Sequence, residues 1–475
     1  MTGGRGRPKL SFGVLSDIHI AKETQGDFRQ FGYGSSSTFK VALEWFRDAG
    51  VDAVVAAGDL ADHGWDSGLD IVSKVWYAVF PEDRAPDGRP VEKVFVYGNH
   101  DMGPYYDSGY ARKWPDRAEA IRLHAIRSDP GGCWKRAFHE DYARLSVKTI
   151  RGYAFFGGQW DYTQKGDPFA QIGEHLSVHG HELDPRLPFF YVQHPHLKDT
   201  CYGSWAWGHD KGAATAALSA CPNAIALSGH SHYTLTDERS IWQGAFTSVG
   251  TASTSYVGCP NDEWAPTGYE NGSAVGPDAM RLNAAKLSPQ DFQNQRECML
   301  WNVYDDCLVI RRHDLTSGLD LGDDWVLPLP AAEARPFAFL EHARRTRVPR
   351  FAADARLNVV RAKAKTRGGN SGKDVCPSAE KDVLRVEIPA AVPDRNARLF
   401  DCEVTAETTD GKKVVKRVMA SGFSAPAEDP RVLRPTVCNF ALDELDAPIK
   451  VTVKPRNSFG LSGRTFVATF IEDAS

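Results

Sequence analysis

Five short blocks of carboxylate, amide and imidazole residues stand in the first half of the chain, each after an apolar run. They are Asp17-Ile18-His19, Gly58-Asp59-Leu60-Ala61-Asp62, Gly98-Asn99-His100-Asp101, His194 within Val192-Gln193-His194-Pro195-His196, and Gly229-His230-Ser231-His232. Oxygen and imidazole-nitrogen donors of this kind suit a pair of hard or borderline divalent metals. The apolar runs predict strands, and sites in open α/β sheets gather outside the carboxyl ends of strands. The five blocks therefore predict one metal centre.

Two blocks pair donors two residues apart, Asp17 with His19 and His230 with His232. Residues i and i+2 of an extended segment point the same way. We therefore expect both members of each pair to reach the metals or their immediate surroundings. The glycine that opens three of the blocks fits a turn that needs positive φ or close backbone approach: Gly58, Gly98 and Gly229.

The order D-x-H, GD-x-x-D, GNHD, H, GHxH resembles that of the calcineurin-like metallophosphoesterase family. The resemblance implies a hydrolase of phosphoester bonds that uses two divalent metal ions and a hydroxide bridging them. Two cations about 3.5–4 Å apart neutralise the phosphoryl oxygens and acidify a water between them. The residues leave the metal open among Mn, Fe, Zn, Co and Ni, because all of these accept the same N/O ligands.

The resemblance also implies roles for single residues. Asp59 would bridge both metals. Asp17, His19 and His232 would complete one site, and Asn99, His194 and His230 the other.

His100 and Asp101 extend the expectation beyond metal binding. In the family this histidine faces the substrate and acts on the leaving oxygen or the phosphoryl charge. An acidic neighbour, Asp101, favours the imidazolium form and orients the ring, which suits a general acid. Asp62 is expected to support a ligand rather than bind metal. Many family members carry Arg where this chain has His63, which removes one expected phosphate clamp.

Aromatic and polar residues beside the ligand blocks are candidates for substrate contacts: Tyr105, Trp160, Tyr162, Trp205 and His209. They could stack on a base or sugar of the substrate, or they could pack long loops onto the core. The stretch 253–296 is rich in Gly, Pro and Asn and predicts an irregular segment that walls one side of the cleft.

The fold class predicted is α/β. Apolar runs at 10–16, 53–57, 93–97, 153–157, 189–193 and 224–228 predict strands that alternate with helices at 38–49, 118–127 and 213–220. The resemblance adds a four-layer sandwich of two β-sheets flanked by helices. Strands at 299–304 and 307–311 are expected to complete the second sheet. The catalytic domain is placed at 1–350.

After residue 350 the pattern becomes strand-like, and Asp410-Gly411 is a hairpin signal. A small all-β sandwich of immunoglobulin or fibronectin type is predicted at 351–475. It is either a packing or spacing module or a carbohydrate- or partner-binding module. Oligomeric state is not predicted.

Composition narrows the partners and the compartment. A chain of 475 residues with 42% hydrophobic residues and a net charge of −5 has substantial cores, and its basic residues form no long run. This gives no strong nucleic-acid signal. The nine cysteines include no CxxC, which favours free thiols and a cytoplasmic location, with export as the alternative if a signal peptide was removed. No run is long and apolar enough to span a membrane.

The leading functional prediction is hydrolysis of a phosphorylated small molecule or a phosphodiester, with diesters favoured. A phosphomonoesterase or a nuclease of the same family is the alternative within this chemistry. A non-catalytic binding or scaffold protein with a retained metal site is the alternative of another class.

Overall fold

The structure is a computed structural model that describes residues 6–20, 35–103, 123–163, 165–202, 210–257, 295–365 and 380–471. The chain divides into two compact units. The first comprises Met1–Leu235, Ser240–Val257 and Gln295–Glu341, and the second comprises Thr236–Arg239, Gly258–Asn294 and His342–Ser475. The domain boundary at residue 350 stays a prediction.

The first unit contains two mixed β-sheets. In chain order its described strands are β1 (Leu10–Leu15), β2 (Ala53–Ala57), β3 (Glu92–Val96), β4 (Leu145–Ile150), β5 (Tyr153–Gly158), β6 (Phe189–Val192), β7 (Ala224–Ser228), β8 (Ile241–Gln243), β9 (Thr247–Gly250), β10 (Glu297–Val303), β11 (Cys307–Asp314), β12 (Leu319–Asp320) and β13 (Trp325–Pro328). One sheet has the order β12-β11-β10-β1-β2-β3, with β13 also paired to β11, and the other has the order β4-β5-β6-β7-β9-β8. The strands β1-β2-β3 and β5-β6-β7-β9 run parallel within their sheets.

The two sheets pack face to face through apolar side chains. Phe12 of β1 lies 5.3 Å from Phe155 of β5 and 4.9 Å from Phe190 of β6, measured between ring centroids. Trp301 of β10 joins the same core and is fully buried. Burying one such side chain stabilises the folded protein by about 1.5–3 kcal/mol. This shared core therefore holds the two sheets, and with them the ends of their strands, in place.

Helices cover the outer faces of the sheets. The described helices of the chain are α1 (Ser35–Ala49), α2 (Asp66–Val79), α3 (Pro130–Phe138), α4 (Gln171–His179), α5 (Ala213–Leu218) and α6 (Phe339–Arg345). Phe46 of α1 packs directly over Gly13 of β1, where a Cβ would lie 2.4 Å from the Phe46 ring. His175 of α4 lies against Phe156 of β5. Because both faces of the sheet are covered, every residue of β1 and β2 is buried and nearly all are apolar. The predicted four-layer α/β fold is confirmed.

Two details differ from the sequence-based expectations. β10 pairs antiparallel with β1 and so extends the first sheet, where the sequence predicted completion of the second. A pairing between strands so far apart in the chain is decided by packing and not by local pattern. A helix was predicted at 118–127. Residues 118–122 lie outside the described part of the chain, and at the other end of this range the structure has a short 3-10 helix, Ile126–Ser128.

The second unit is all-β apart from short helical turns in the part of it that the structure describes. Its strands are β14 (Asn358–Lys365), β15 (Glu380–Ile388), β16 (Asp401–Thr408), β17 (Lys413–Met419), β18 (Thr436–Ala441), β19 (Ile449–Arg456) and β20 (Phe466–Phe470). They form the sheets β14-β15-β18 and β17-β16-β19-β20. Asp410-Gly411 joins the antiparallel strands β16 and β17, as the hairpin signal predicts, with Gly411 at φ 89°.

Two sequence-based expectations concern the cysteines and membrane-spanning segments. Seven cysteines lie among the described residues, and each is a thiol: Cys133, Cys201, Cys221, Cys298, Cys307, Cys402 and Cys438. In the same described ranges, no helix has the length and apolar character required to cross a bilayer.

Candidate metal centre

The predicted ligands stand just beyond the carboxyl ends of parallel strands at one end of the sandwich. The strands β1, β2 and β3 of one sheet and β6 and β7 of the other lead into them, in this order: Asp17, Asp59, Asn99, His194 and His230. Because parallel strands direct their carboxyl ends to one edge, residues far apart in sequence meet here. The structure brings together six of the seven residues that the sequence singled out as metal ligands: Asp17, His19, Asp59, His194, His230 and His232. The seventh, Asn99, directly precedes His100, whose backbone N–H donates to Asp59.

Six of the predicted ligands form two groups of possible ligand atoms, each within 4.8 Å, Asp17 with His19 and His232, and Asp59 with His194 and His230. In the described residues a third such group joins His19 with Asp62 and His100. In the first group His232 Nε2 lies 3.0 Å from Asp17 Oδ1. In the second, His194 Nε2 lies 3.0 Å from Asp59 Oδ2.

The two carboxylates face both groups. His194 Nε2 lies 3.8 Å from Asp17 Oδ1, and His19 Nε2 lies 3.8 Å from Asp59 Oδ2. A carboxylate with imidazoles of both groups beside it has the position that a bridging ligand needs.

Five of these side chains are carried on residues with positive φ, which non-glycine residues rarely adopt: Asp17 (51°), His19 (50°), Asp59 (53°), His230 (71°) and His232 (56°). Such conformations cost about 1–3 kcal/mol each and cluster at functional sites. The prediction that an extended backbone orients both residues of each i, i+2 pair was therefore wrong. Left-handed turns, and not extended backbone, bring the donors of each pair to the site.

Two glycines let the ligand loops approach each other. Gly58 has φ +93°, and a Cβ there would lie 2.3 Å from His194 Nδ1. A Cβ at Gly98 would lie 2.1 Å from Asp59 Oδ1. Larger residues would displace His194 or Asp59, so both glycines are required by space and one also by conformation.

Three histidines are held by hydrogen bonds from Nδ1. His19 Nδ1 lies 3.0 Å from the Asp62 carboxylate, His194 Nδ1 lies 2.7 Å from the carbonyl of Ala57, and His232 Nδ1 lies 3.0 Å from the carbonyl of Tyr256. Because these partners accept, Nδ1 carries the proton in each ring. Nε2 is then a lone-pair donor turned towards the centre, as metal-binding histidines require.

The donor set fits cations. Among the predicted ligands in the described residues, three buried side-chain atoms form no hydrogen bond of good geometry, namely Asp17 Oδ1, Asn99 Oδ1 and His194 Nε2. His19 Nε2 and His232 Nε2 lie only 3.1 Å apart. Buried polar atoms are nearly always satisfied, and two lone pairs at this distance repel. Two divalent ions would satisfy these atoms.

Charge in the site is arranged around the two aspartates. Burial opposes their ionisation, but His232 and His194 hold the pKa of Asp17 below its ordinary value, and His194 and His100 do so for Asp59. Burial also opposes the imidazolium of His194, but Asp59 and Asp17 outweigh it and raise the pKa of His194 to about 9. Protons and metal ions therefore compete for the same atoms.

His100 lies at the accessible side of the ligands, with 23% of its side chain exposed. Its backbone N–H donates to Asp59 Oδ1 at 2.8 Å. Nδ1 donates to the carbonyl of Asp62 at 2.8 Å and lies 3.4 Å from Asp62 Oδ1. Burial lowers its basicity, but the charge of Asp59 and the hydrogen bonds to Asp62 raise the pKa of His100 to about 10.

Asp101 has a different role from the one predicted. Its fully buried carboxylate accepts the backbone N–H groups of Gly98 at 2.8 Å, Leu60 at 3.1 Å and Ala61 at 2.7 Å. It therefore ties the GNHD loop to the GD-x-x-D loop, and Asp62, not Asp101, orients His100. Burial and the nearby Asp59 raise the pKa of Asp101 to about 7.

The candidate substrate residues differ in their placement. Trp160 is 6% exposed and its ring lies 5.8 Å from that of His194 and 5.6 Å from that of His230. It packs behind the ligands and offers little surface to a substrate. Tyr162 is 46% exposed. Tyr105, Trp205 and His209, and most of the stretch 253–296, lie outside the described residues.

Sequence reasoning missed Tyr256. Its carbonyl accepts from His232, and its half-buried ring lies 4.2 Å from the His232 ring, centroid to centroid. Ser253 holds this segment on the ligand loop by donating to the carbonyl of Asp17 at 3.1 Å and accepting the N–H of Tyr256. The sequence before Tyr256 is rich in small hydroxyl residues, Thr251-Ala252-Ser253-Thr254-Ser255. This run matches no known ligand motif, so it did not point to the site.

Comparisons with known proteins were made for the sequence and the structure. A search of curated proteins gives no match. A dimetal phosphatase from Danio rerio aligns with 12% identity, 68% of this chain, 99% of that chain and a TM-score of 0.39. A purple acid phosphatase from yellow lupin (Lupinus luteus) seeds aligns with 13% identity, 67% of this chain, 54% of that chain and a TM-score of 0.39.

A zinc complex of Vps29 from Entamoeba histolytica aligns with 11% identity, 67% of this chain, 99% of that chain and a TM-score of 0.29. Residues 10–233 match the family model described as calcineurin-like phosphoesterase. This range contains all five ligand blocks and ends directly after His232. Through residues 10–233, the chain is similar to the calcineurin-like phosphoesterase family.

Proposed function

We propose that this protein is a two-metal hydrolase of phosphoesters that prefers phosphodiesters. The observation that carries the proposal is the pair of imidazole Nε2 atoms of His19 and His232, 3.1 Å apart beside the Asp17 carboxylate. Donor atoms held this close in a buried site favour a cation between them. The second group, around His194, supports a second cation beside the first.

In the proposed centre, Asp59 would hold both ions. Asp17, His19 and His232 would hold one ion as well, and Asn99, His194 and His230 would hold the other. When bound, the two ions would neutralise the phosphoryl oxygens and lower the pKa of a water molecule between them. Asn99 contributes a neutral oxygen and so adds no further negative charge beside the nucleophile.

His100 is proposed as the general acid that delivers a proton to the leaving oxygen. Its ring is part-exposed beside the ligands, and Asp62 fixes it through Nδ1. With Nδ1 held in this way, Nε2 is the atom that transfers the proton. Asp62 also accepts from His19 at 3.0 Å, so one carboxylate orients both a proposed ligand and the proposed acid.

The preference for diesters rests on the charge around the centre. In the described part of the chain, no lysine or arginine is bonded to these six proposed ligands: Asp17, His19, Asp59, Asn99, His194 and His232. Burial lowers the pKa of His63, which stands where many relatives carry arginine. Cationic side chains are the usual clamps for a transferring phosphoryl group. Since the described residues place no such clamp on these six ligands, we propose that the centre favours the singly charged diester over the doubly charged monoester.

The test compares turnover of a bis-aryl phosphate with turnover of a mono-aryl phosphate. The protein is stripped of metal and refilled with Mn, Fe, Zn, Co or Ni before each assay. We expect faster turnover of the diester, lost in Asp59→Asn together with metal binding, and strongly reduced in His100→Ala with metal binding retained.

Matched controls are Asp87→Asn and His179→Ala, which change exposed residues of the same types. Both are expected to keep wild-type turnover and metal content. A faster monoester reaction would overturn the diester preference. No turnover of either ester in any metal, with two ions bound, would overturn the proposed enzyme and leave a metal-binding protein.

A further inference from the structure

His196 is a buried histidine that belongs to neither ligand group. It is 1% exposed, and both of its ring nitrogens contact serine hydroxyls. Nδ1 lies 2.8 Å from Ser228 Oγ, and Nε2 lies 2.6 Å from Ser231 Oγ. The ring therefore spans from the last residue of β7 to the middle of the GHSH loop.

The residue at the far end of this link has a particular position. Ser231 separates His230 from His232, and these two histidines belong to different ligand groups. Both have positive φ, so the loop is held in a conformation that its own backbone does not favour. An anchor at Ser231 acts on both neighbouring ligands at once.

We propose that His196 is a positioning residue that, through Ser231, fixes the loop carrying His230 and His232 and so aligns one ligand of each metal. The inference rests on the proposed two-metal function. His196 does not bind metal itself, because both of its ring nitrogens are engaged by hydroxyls. A neutral imidazole donates through one nitrogen and accepts through the other, so in either tautomer it can hold both serines.

The geometry allows packing and hydrogen bonding to be separated. A glutamine amide reaches about as far as an imidazole Nε2 and can keep the link to Ser231. An asparagine amide reaches about as far as Nδ1 and can keep only the link to Ser228. We therefore compare His196→Gln with His196→Asn, and both with Ser231→Ala, which removes the hydroxyl and leaves the imidazole.

The measurements are Mn²⁺ and Zn²⁺ affinity and stoichiometry by titration of the metal-free full chain, with kcat and KM for the bis-aryl phosphate. Loss of a residue that orients a ligand typically weakens metal affinity or activity about 10–100-fold. We expect that loss in His196→Asn and Ser231→Ala, and near wild-type affinity in His196→Gln. The double variant His196→Asn/Ser231→Ala is expected to lose no more than the single variants, because they break the same link. His179→Ala is the matched control.

Equal metal affinity in the Gln and Asn variants, or additive losses in the double variant, would overturn the positioning role. So would a loss of thermal stability in Ser231→Ala with metal affinity unchanged. These results differ from failure of the proposed function, in which the wild-type protein itself turns over no phosphoester in any metal. The metal titrations do not depend on turnover and decide the role of His196 in either case.

Discussion

The Nε2 atoms of His19 and His232 lie 3.1 Å apart, although each ring is fixed by a hydrogen bond from its other nitrogen. Asp62 accepts from His19 Nδ1 and the carbonyl of Tyr256 accepts from His232 Nδ1. Neither ring can turn its lone pair away without losing that bond. We therefore expect the folded state to be more stable when a cation lies between these two nitrogen atoms.

Metal removal is expected to lower the thermal stability of the first unit. A ligand that binds only the folded state at about 100 times its dissociation constant adds about 2.7 kcal/mol to the free energy of unfolding. The measurement is the melting temperature with added Mn²⁺ or Zn²⁺ and after chelation. His232→Ala is expected to lose most of this metal-dependent increase, and the exposed variant His179→Ala to keep it. An identical melting temperature with and without metal in the wild-type protein would contradict the prediction.

Gly58→Ala is expected to weaken metal binding as well as folding. The added Cβ would meet His194 Nδ1 at 2.3 Å and would also sit on a residue with φ +93°. Gly88→Ala is the matched control, because Gly88 has φ +81° and no atom within 4 Å of the added Cβ. The backbone strain of about 1–2 kcal/mol is common to both. Only Gly58→Ala should lose metal affinity in a titration, and equal affinities in the two variants would contradict the steric argument.

The sequence was sufficient to predict which residues meet at the centre. Asp17, Asp59 and His194 each follow an apolar strand, and parallel strands bring such positions to one edge. The pattern of buried strands and amphipathic helices also predicted the layered fold. These features depend on the periodicity of apolar residues and on the direction of the strands, and both can be inferred from short stretches of sequence.

The roles of neighbouring carboxylates could not be predicted in the same way. Asp62 and Asp101 are both acidic residues at the ends of ligand blocks, and sequence proximity favoured Asp101 as the partner of His100. The turn at Gly98 instead directs Asp101 into backbone N–H groups. Tyr256 was missed because it contacts His232 through a carbonyl, a group that every residue has.

The different positions of Asp62 and Asp101 predict different kinetics. Asp62→Asn weakens the orientation of His100, so its effect should resemble that of His100→Ala. General acid catalysis is worth about 10²–10⁴-fold and matters most for poor leaving groups. Both variants should therefore slow a dialkyl diester, which must expel an alkoxide, more than a bis-nitrophenyl diester.

Asp101→Asn should instead lower stability, because its carboxylate holds three backbone N–H groups. Its rate loss should be the same for good and poor leaving groups. The measurement is kcat/KM across a series of leaving groups, with the unfolding free energy of each variant. A leaving-group dependence in Asp101→Asn equal to that in Asp62→Asn would contradict the assignment.

Glu297 predicts a pH dependence of stability that is separate from the metal ligands. Its side chain is fully buried, with Oε1 2.6 Å from Thr234 Oγ1 and Oε2 accepting the N–H of Leu235 at 2.6 Å. Burial raises the pKa of Glu297 from 4.5 to about 8. Between these values the folded chain keeps a proton that the unfolded chain has lost, so stability falls as the pH rises.

The decline should amount to about 1.4 kcal/mol for each pH unit and should end above the folded-state pKa. Glu297→Gln keeps the shape and removes the titration, so it isolates this contribution from those of other groups. The measurement is the free energy of unfolding in urea for the metal-free wild-type protein and variant at several pH values from about 5 to 9. The wild-type protein should lose stability relative to Glu297→Gln as the pH rises to about 8, with a constant difference beyond it. Parallel curves over the whole range would show that Glu297 is ionised in the folded protein.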